Sequence, residues 1–402
     1  MRAIKPFWIY ENFSLRFTNC NFYTFVKINP KELQRIIVSV INDLVTDQRV
    51  HKVCTTLVDM GFEVVLIGRK LPDSLPLNRN YKTIRMRLLF EKKFLFYVEF
   101  SFRLFFKLLF IKKGVLLSND LNTLLPNYII SKLFKKKLVY DSHELFTEIA
   151  ELIDRPSIRK VWLTIEKQIF PKLKNVYTVN QSIATFYKDR YAIDVKFIRN
   201  IAPELRNKHV DSVLSNKIKG DNKMLILQGS GINMDRGAEE SIKMMQYLED
   251  TVLYIIGGGD IFHTLQKLVD SLNLNDKVFI KNKMSYNELM EYTKISDLGL
   301  SLDKGTNLNY EYSLPNKVFD YIQANVPLLV SNRKEVASLV TENNIGLVVD
   351  AVEPKKLAAA VKSLFSNDLL YNRYKKNTKE AAKKYYWKQE EEKLKEIFNE
   401  LK

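Results

Sequence analysis

Two glycine-containing turns in the second half of the chain have the composition of phosphate-binding loops. Residues 228–237 follow a predicted strand and precede a predicted helix, so the glycines let the backbone approach a ligand closely. The helix start offers free N–H groups to a phosphate, and Arg236 adds a positive charge there. Residues 256–260 also follow a strand and contain three glycines, although a tight turn alone would need glycine. The alternative is a plain strand–helix turn with a solvated Arg236.

A third candidate segment, residues 312–327, combines a helix start with charged side chains. Pro315 and Asn316 open the predicted helix. Lys317 lies in its first turn, where a cation opposes the helix dipole unless an anionic ligand offsets it. One turn later, Asp320 has acceptor oxygens suited to ribose hydroxyls. A solvent-facing lysine and a helix-stabilising aspartate are the alternative.

The first half of the chain has one comparable cluster, at residues 139–144. Asp141, His143 and Glu144 place titratable groups at the end of a predicted strand, where an α/β sheet binds its ligands. A single histidine is more often structural than functional, so both interpretations of His143 stay open.

The elements that must position these residues follow an alternation of short apolar runs and amphipathic segments. This alternation predicts an α/β protein with doubly wound parallel sheets. The predicted strands are residues 35–41, 62–67, 114–117, 137–140 and 175–179, then 224–228, 252–256, 278–280, 298–302, 327–330 and 346–349. The main predicted helices are residues 50–60, 94–111, 238–248, 261–272, 286–294, 316–324, 354–365 and 371–402.

Two domains with a cleft between them follow from these elements and from the length of 402 residues. An N-terminal extension of unknown order covers residues 1–34, and the first domain covers residues 35–203. The second domain covers residues 204–382, and residues 383–402 are expected to pack back on the first domain. Residues 203–221 are predicted to be a linker.

Composition restricts the partners and the compartment. The formal charge of +17 suggests an anionic partner, although a lysine-rich composition is an equal alternative. No nucleic-acid module is recognisable, so nucleic acid is not expected as a partner. The two cysteines and four histidines form no metal-ligand spacing. We therefore expect no metal, no cofactor and a reducing, cytoplasmic location, and the sequence has no evident secretory signal.

The most apolar segment, residues 94–111, is interrupted by Glu99, Arg103 and Lys107. A spanning helix would bury these charges, so the segment is not predicted to cross a membrane. It is either a core helix or an amphipathic helix at an anionic membrane surface. The second alternative predicts peripheral attachment to the inner face of the cytoplasmic membrane.

Together, residues 229–237, 257–259 and 313–320 resemble the donor site of family 4 glycosyltransferases, which belong to the glycosyl transferases group 1. The motifs occur in the order and spacing of that family, and residues 42–49 and 141–144 are similar to loops of one bacterial branch. The resemblance implies the GT-B fold, in which two Rossmann-like domains face each other across a cleft. It also implies a retaining transferase that uses a nucleoside-diphosphate-sugar and no metal.

The resemblance also implies residue roles. Arg236 and Lys317 match basic residues at the donor diphosphate, His143 matches a histidine near the transferred sugar, and Asp320 stands where the family has a ribose-binding glutamate. The remaining predicted substrate-binding residues are Gly229, Ser230, Gly231, Gly257, Gly258, Gly259, Glu311, Tyr312, Ser313, Leu314, Pro315 and Asn316.

Two departures from the family pattern qualify these roles. Tyr312 replaces the first member of the glutamate pair, and Ser230 replaces a common arginine. Glu311 is a candidate to supply the missing acid from one position away.

The expected activity is hexosyl transfer to a glycan or lipid-linked acceptor, in the synthesis of cell-surface polysaccharide or glycoconjugate. A nucleotide-sugar epimerase of the same architecture is one alternative. A non-catalytic relative that acts as a binding partner is the other.

Overall fold

The first domain is built on a seven-stranded sheet in the order β3-β2-β1-β4-β5-β6-β7, and all its strand pairs are parallel. The structure, a computed structural model, describes residues 34–401 apart from 73, 92, 203 and 206–208. Of the predicted extension 1–34, only the last residue lies within the described residues. The strands are β1 (Arg35–Asp43), β2 (Glu63–Arg69), β3 (Lys82–Met86), β4 (Val115–Asn119), β5 (Leu138–Ser142), β6 (Asn175–Thr178) and β7 (Lys196–Phe197).

Helices connect these strands and cover both faces of the sheet. The apolar run of β1 is almost fully buried, as expected for a central parallel strand. The helices are α1 (Gln48–Asp59), α2 (Lys93–Phe110), α3 (Leu121–Leu133), α4 (Ala150–Ile153), α5 (Pro156–Ile169) and α6 (Gln181–Tyr191).

The second domain repeats this architecture with a six-stranded parallel sheet in the order β10-β9-β8-β11-β12-β13. Its strands are β8 (Lys223–Gly229), β9 (Thr251–Gly257), β10 (Val278–Asn282), β11 (Leu298–Ser301), β12 (Leu328–Ser331) and β13 (Gly346–Val349). Two Rossmann-like domains are therefore confirmed.

All but the last of the remaining helices belong to the second domain. In chain order, the remaining helices are α7 (Ser212–Lys219), α8 (Ala238–Met244), α9 (Phe262–Ser271), α10 (Tyr286–Ile295), α11 (Leu308–Glu311), α12 (Asn316–Gln323), α13 (Lys334–Asn343), α14 (Pro354–Phe365), α15 (Asp368–Ala382) and α16 (Trp387–Asn399).

The structure adds detail to two expectations about the connections. The predicted linker 203–221 contains α7, because the Asp211 side chain accepts a hydrogen bond from Leu214 N and caps that helix. The predicted helical segment 371–402 consists of two helices, α15 followed by α16. Gln323 Nε2 donates to Ala382 O over 2.9 Å and to Tyr385 O over 2.7 Å, which satisfies carbonyls at the end of α15.

The last helix lies on the first domain. Trp387, Leu394 and Phe398 of α16 belong to the same apolar core as residues of β1, β2 and α1. Trp387 N also donates to Ala202 O over 3.1 Å, so the two passages of the chain between the domains lie side by side.

Candidate active site

The turn between β8 and α8 lies where the strand order of the second sheet reverses. The chain passes from β8 to β9 on one side, and β11 flanks β8 on the other. Ligands of open α/β sheets bind at the carboxyl ends of strands at such a switch point. Gly229 ends β8, and Asp303 follows β11 by two residues. The topology therefore places a carboxylate beside the 228–237 turn.

Two neighbours hold the Arg236 guanidinium in this turn. Its Nη1 donates to Asp303 Oδ2 over 2.6 Å, and its Cζ lies 4.2 Å from the centroid of the Tyr310 ring. Burial disfavours the charge, but the Asp303 carboxylate raises the pKa of Arg236 above its ordinary value. Among the described residues, Arg236 Nε and Asp303 Oδ1 are buried without a hydrogen-bond partner. The site thus contains a fixed cation with an unused donor.

Lys317 belongs to the same site. It lies in the first turn of α12, close enough to Arg236 and Asp303 for their charges to act on it. Burial lowers the pKa of Lys317 to about 8; Asp303 opposes this change and the charge of Arg236 adds to it. The two basic residues singled out from the sequence are therefore brought together around one carboxylate.

Two glycines of the predicted loops are required by the packing of one turn on the other. A Cβ on Gly257 would lie 1.8 Å from Gly229 O, and a Cβ on Gly259 would lie 2.2 Å from Ile232 O. Both have a positive φ, which a side chain would strain. Ile232 N also donates to Gly258 O over 2.7 Å. These contacts account for Gly257 and Gly259 without a ligand.

The other glycines leave open space. A Cβ on Gly229 or Gly231 would lie at least 3.8 Å from the nearest atom beyond its chain neighbours, and Ser230 between them is exposed. A Cβ on Gly258 would approach only the flexible end of Lys283, at 2.8 Å from Cε. Gly229, Ser230 and Gly231 therefore offer backbone that a ligand can approach.

Asp320 is buried, and both its oxygens already accept hydrogen bonds. Tyr286 Oη donates to Oδ1 over 2.9 Å, and Gln228 Nε2 donates to Oδ2 over 3.0 Å. Burial raises the pKa of Asp320 to about 6, while the two hydrogen bonds oppose this rise. A contact with ribose stays a prediction, and it would use the remaining lone pairs of the carboxylate.

The residues at the position of the missing glutamate have partners of their own. The Glu311 carboxylate accepts a hydrogen bond from Arg333 Nη1. The Tyr312 ring lies 5.4 Å from Lys334 Nζ, and its carbonyl accepts a hydrogen bond from Asn180 Nδ2 of the first domain over 2.7 Å. Glu311 would have to leave Arg333 to act in place of the missing acid.

The residues that follow connect this segment to the basic site. Ser313 Oγ lies 3.3 Å from Asp303 Oδ2, to which it donates. Leu314 packs against the core of the second domain, and Pro315 directly precedes α12. Asn316 is exposed at the first position of that helix. Its backbone N–H is therefore available at the helix start.

His143 lies between two carboxylates at the carboxyl edge of the first sheet. Its Nδ1 is 3.2 Å from Asp120 Oδ2, and its Nε2 is 3.2 Å from both Asp141 Oδ2 and Asn119 Oδ1. Burial alone would lower the pKa of His143, but Asp120 and Asp141 outweigh it and raise the pKa to about 9. His143 is therefore an imidazolium at neutral pH, with both ring nitrogens donating.

Arg49 anchors this arrangement, and the sequence reasoning did not single it out. Its Nη2 and Nε donate to the two oxygens of Asp141 over 2.7 and 3.0 Å, and its Nη1 donates to Ile198 O. Burial would raise the pKa of Asp141, but Arg49 and His143 lower it to about 2. Asp141 therefore stays ionised and holds His143 in place.

Asp303 and Asp120 were missed as well, although a signal was present. Both come just after the carboxyl end of a parallel strand, β11 and β4 respectively. Inspection of every predicted strand end for charged residues would have found them. The sequence reasoning applied this rule only where several polar residues cluster.

The two halves of the site meet at the domain interface. Asn309 Nδ2 donates to Glu144 Oε2 and Asn309 Oδ1 accepts from Leu145 N, both over 3.1 Å. Burial raises the pKa of Glu144 to about 7, and the charge of Arg236 acts on it across the interface. The His143 loop of the first domain therefore lies close to the basic site of the second.

Among the described residues, no group of three or more His, Cys, Asp or Glu side chains is arranged to hold a metal ion. In a separate finding, no helix of the described chain combines the length and apolarity needed to cross a membrane.

The second domain matches a known enzyme family. Residues 214–381 match the family model of glycosyl transferases group 1. The resemblance seen in the motifs of the second domain is therefore confirmed for this segment, which includes Arg236, Asp303 and Lys317. Assignment to family 4 and to a bacterial branch stays a prediction. None of the curated proteins matches the chain significantly.

Solved structures share the fold of both domains. A sucrose-phosphate synthase from Thermosynechococcus elongatus has a TM-score of 0.75 at 15% identity, over 92% of this chain and 99% of its own. A glycosyltransferase from Rickettsia africae has a TM-score of 0.69 at 14% identity, over 92% and 98%. Anabaena Alr3699/HepE in complex with UDP-glucose has a TM-score of 0.69 at 11% identity, over 91% and 100%. These similarities confirm the GT-B architecture.

Proposed function

We propose that the protein is a retaining glycosyltransferase that moves a hexosyl group from a nucleoside-diphosphate-sugar to a glycan or lipid-linked acceptor. One observation carries this proposal: Arg236 and Lys317, from separate segments, lie around Asp303 at the switch point of the second sheet. A cation pair at that place suits two linked phosphates. The family match of residues 214–381 supports the same activity.

In this proposal the second domain stabilises the leaving group. Arg236, Lys317 and the N–H groups at the starts of α8 and α12 offset the negative charge that develops on the departing diphosphate. These groups require no divalent cation, so we expect added EDTA to leave turnover unchanged. Retention of configuration follows from the family resemblance.

His143 contributes positive charge in this mechanism. A general base must be unprotonated, and the pKa of about 9 keeps His143 protonated at neutral pH. Its ring is fixed by Asp120 and Asp141, so it adds a fixed charge on the sugar side of the donor. Closure of the domains around the donor would exclude water and limit hydrolysis.

The proposal predicts stabilisation by the donor. A ligand that binds only the native state raises its unfolding temperature, so nucleotide-sugars are to be screened by thermal shift. UDP and UDP-glucose are the first probes, because the Anabaena protein of the same fold was crystallised with UDP-glucose. Product analysis with donor alone separates a transferase from an epimerase, which needs no acceptor.

Lys317→Ala is expected to lower turnover by about a hundredfold or more, because it removes a charge that stabilises the leaving diphosphate. Lys376→Ala is the matched control, because Lys376 is an exposed lysine of the same domain. Circular dichroism of both variants checks that the fold is intact. Unchanged turnover in Lys317→Ala would contradict the assigned site.

A non-catalytic relative is the second candidate, and one observation favours it. Glu311 pairs with Arg333, and the neighbouring Tyr312 replaces the glutamate of the family pattern. Calorimetry with nucleoside diphosphates discriminates the two, since a degenerate site should bind none of them. Absence of binding to every nucleoside diphosphate would favour the non-catalytic relative.

The family resemblance, together with the many basic and aromatic residues of the first domain, supports a role in cell-surface polysaccharide or glycoconjugate synthesis. We expect the protein in the cytoplasm, attached peripherally to the inner face of the membrane. Fractionation of cells with a tagged full-length chain tests this location.

A further inference from the structure

Helix α2 has two apolar sides. One side packs into the core of the first domain, and the other is exposed. Successive residues of an α-helix are about 100° apart, so stripes two positions apart lie on opposite sides. The buried stripe is Phe96, Phe100, Leu104 and Leu108, and the exposed stripe is Phe94, Val98, Phe102, Phe106 and Phe110. A surface helix normally carries polar residues where this second stripe lies.

The exposed stripe extends onto the next helix. Helices α2 and α3 pack against each other, and the Lys113 Nζ lies 4.1 Å from the centroid of the Phe134 ring at their ends. We call these residues together the α2–α3 face. Its apolar members are the exposed α2 stripe and, from α3 and its end, Leu125, Ile129, Leu133 and Phe134, with exposed fractions from 36% to 81%.

Positive charges border the α2–α3 face. Arg103 and Lys107 are exposed on α2, and Lys132, Lys135 and Lys136 are exposed at the end of α3. Glu99, the acidic residue within α2, is occupied: it accepts hydrogen bonds from Leu89 N, Phe90 N and Arg103 Nε. The face therefore combines aromatic side chains with a positive border.

We propose that the α2–α3 face docks on an anionic lipid membrane. Exposed apolar patches of this kind mark interaction sites, and aromatic side chains flanked by lysines are suited to the boundary between headgroups and acyl chains. Lysines near such a surface are attracted to anionic headgroups. In a two-fold contact between copies of this chain, the same positive border would meet itself and repel. A bilayer satisfies both the apolar and the charged parts of the face.

One end of the α2–α3 face lies at the edge of the first sheet that carries His143. Phe96, near the start of α2, lies 4.8 Å under the Arg69 guanidinium at the carboxyl end of β2. His143 lies at the same edge of this sheet, after β5. The helix then runs back toward the start of β4. A membrane that contacts the whole length of α2 therefore reaches, at the start of the helix, the edge that is to receive the acceptor. The acceptor class that follows, a lipid-linked molecule, rests on the proposed function; the docking itself does not.

The test is co-sedimentation of the full-length chain with vesicles. Vesicles of phosphatidylcholine with a quarter of phosphatidylglycerol are compared with vesicles of phosphatidylcholine alone. The triple variant Phe102→Ser, Phe106→Ser, Phe110→Ser is expected to weaken binding to the anionic vesicles at least about tenfold, because three apolar side chains lose their burial in lipid. The double variant Val213→Ser, Leu369→Ser, at two exposed apolar positions elsewhere, is the control and is expected to bind as the parent does.

A second triple variant tests the charge. Lys132→Gln, Lys135→Gln, Lys136→Gln is expected to lose most of the preference for anionic over neutral vesicles. All variants change exposed side chains, so their melting temperatures should match the parent.

Two results would overturn the docking proposal. One is equal vesicle binding by the parent and the phenylalanine variant. The other is a parent that fails to bind vesicles but self-associates in sedimentation velocity, with the phenylalanine variant monomeric, which would assign the face to a contact between copies. UDP-induced thermal shift is measured without vesicles on the same samples. Vesicle binding without a thermal shift from UDP or from any other nucleoside diphosphate would refute the proposed function and leave the docking intact.

Discussion

If Lys317 contacts the diphosphate as proposed, nucleotide binding depends on pH to an extent that follows from the pKa of this lysine. Its pKa of about 8 means that about nine-tenths of the molecules carry a protonated Lys317 at about pH 7, and about one-tenth at about pH 9. If the diphosphate binds the protonated form, the apparent Kd rises about tenfold over this interval, or about 1.4 kcal/mol. The terminal phosphate of a nucleoside diphosphate loses its last proton at about pH 6, so the charge of the ligand stays constant over this interval.

The matched variants are Lys317→Arg and Lys317→Met. An arginine stays charged throughout this pH interval, so Lys317→Arg should retain binding and lose this contribution to the pH dependence. Lys317→Met should bind weakly at every pH. The difference between the parent and Lys317→Arg removes contributions from other groups, including His143 with its pKa of about 9.

Isothermal titration calorimetry with UDP in buffers of different ionisation enthalpy measures the effect. At about pH 8 the parent should take up about half a proton per UDP bound, because about half of the Lys317 groups are neutral before binding. Lys317→Arg should take up correspondingly fewer protons per UDP bound, because its guanidinium is already protonated before binding. A parent affinity for UDP that is the same at both pH values, with no proton uptake, would refute the placement of Lys317 at the diphosphate.

Three further predictions concern stability and titration. Because the pKa of His143 is raised in the folded state, its protonation stabilises the fold fully below about pH 6.5, and this contribution is lost as the pH rises through about 9. Over this interval the free energy of unfolding of the parent, measured by urea denaturation, should fall by up to about 3 kcal/mol relative to that of His143→Gln. Arg49→Met should cost about 3–5 kcal/mol by the same measurement, because it leaves the buried Asp141 carboxylate without its cation. Gly257→Ala should lower the melting temperature, with a loss of about 2 kcal/mol or more, because its Cβ would overlap Gly229 O.

Each of these has a control. NMR titration of the His143 ring gives its pKa directly, and a midpoint near the ordinary value of about 6.5 would contradict the predicted pH dependence of stability. Arg35→Met removes an arginine that pairs with the half-exposed Glu63, and it should cost much less than Arg49→Met. Gly231→Ala has open space for its Cβ, so it should not share the loss of Gly257→Ala.

The sequence was informative where one local rule decides the structure. Continuous apolar runs located the central strands, and glycines after strands located the two turns of the second domain, because parallel strands bring their carboxyl ends to one edge. The edge strand β3 was missed since its residues are largely half-exposed and lack an apolar run. The break between α15 and α16 depends on Gln323, which is distant in sequence, so no local pattern indicates it.

For the site, the sequence pointed to Arg236 and Lys317 but not to what joins them. Asp303 is a single acidic residue after a strand, and only the strand order places it between the two cations. Similarly, the state of His143 depends on Asp120, which has a positive φ and reaches the ring from another strand end. Pairings of this kind depend on topology and require the three-dimensional structure.

The hydrogen bond from Trp387 N to Ala202 O has a mechanical consequence. Because the outgoing and returning passages of the chain are tied at one place, they form a single pivot for the two domains. Rotation about this pivot would separate Asn309 from Glu144 and Tyr312 from Asn180, contacts that join the domains beside the proposed donor site. We expect release of the spent nucleotide to require this rotation, while the pivot itself stays intact.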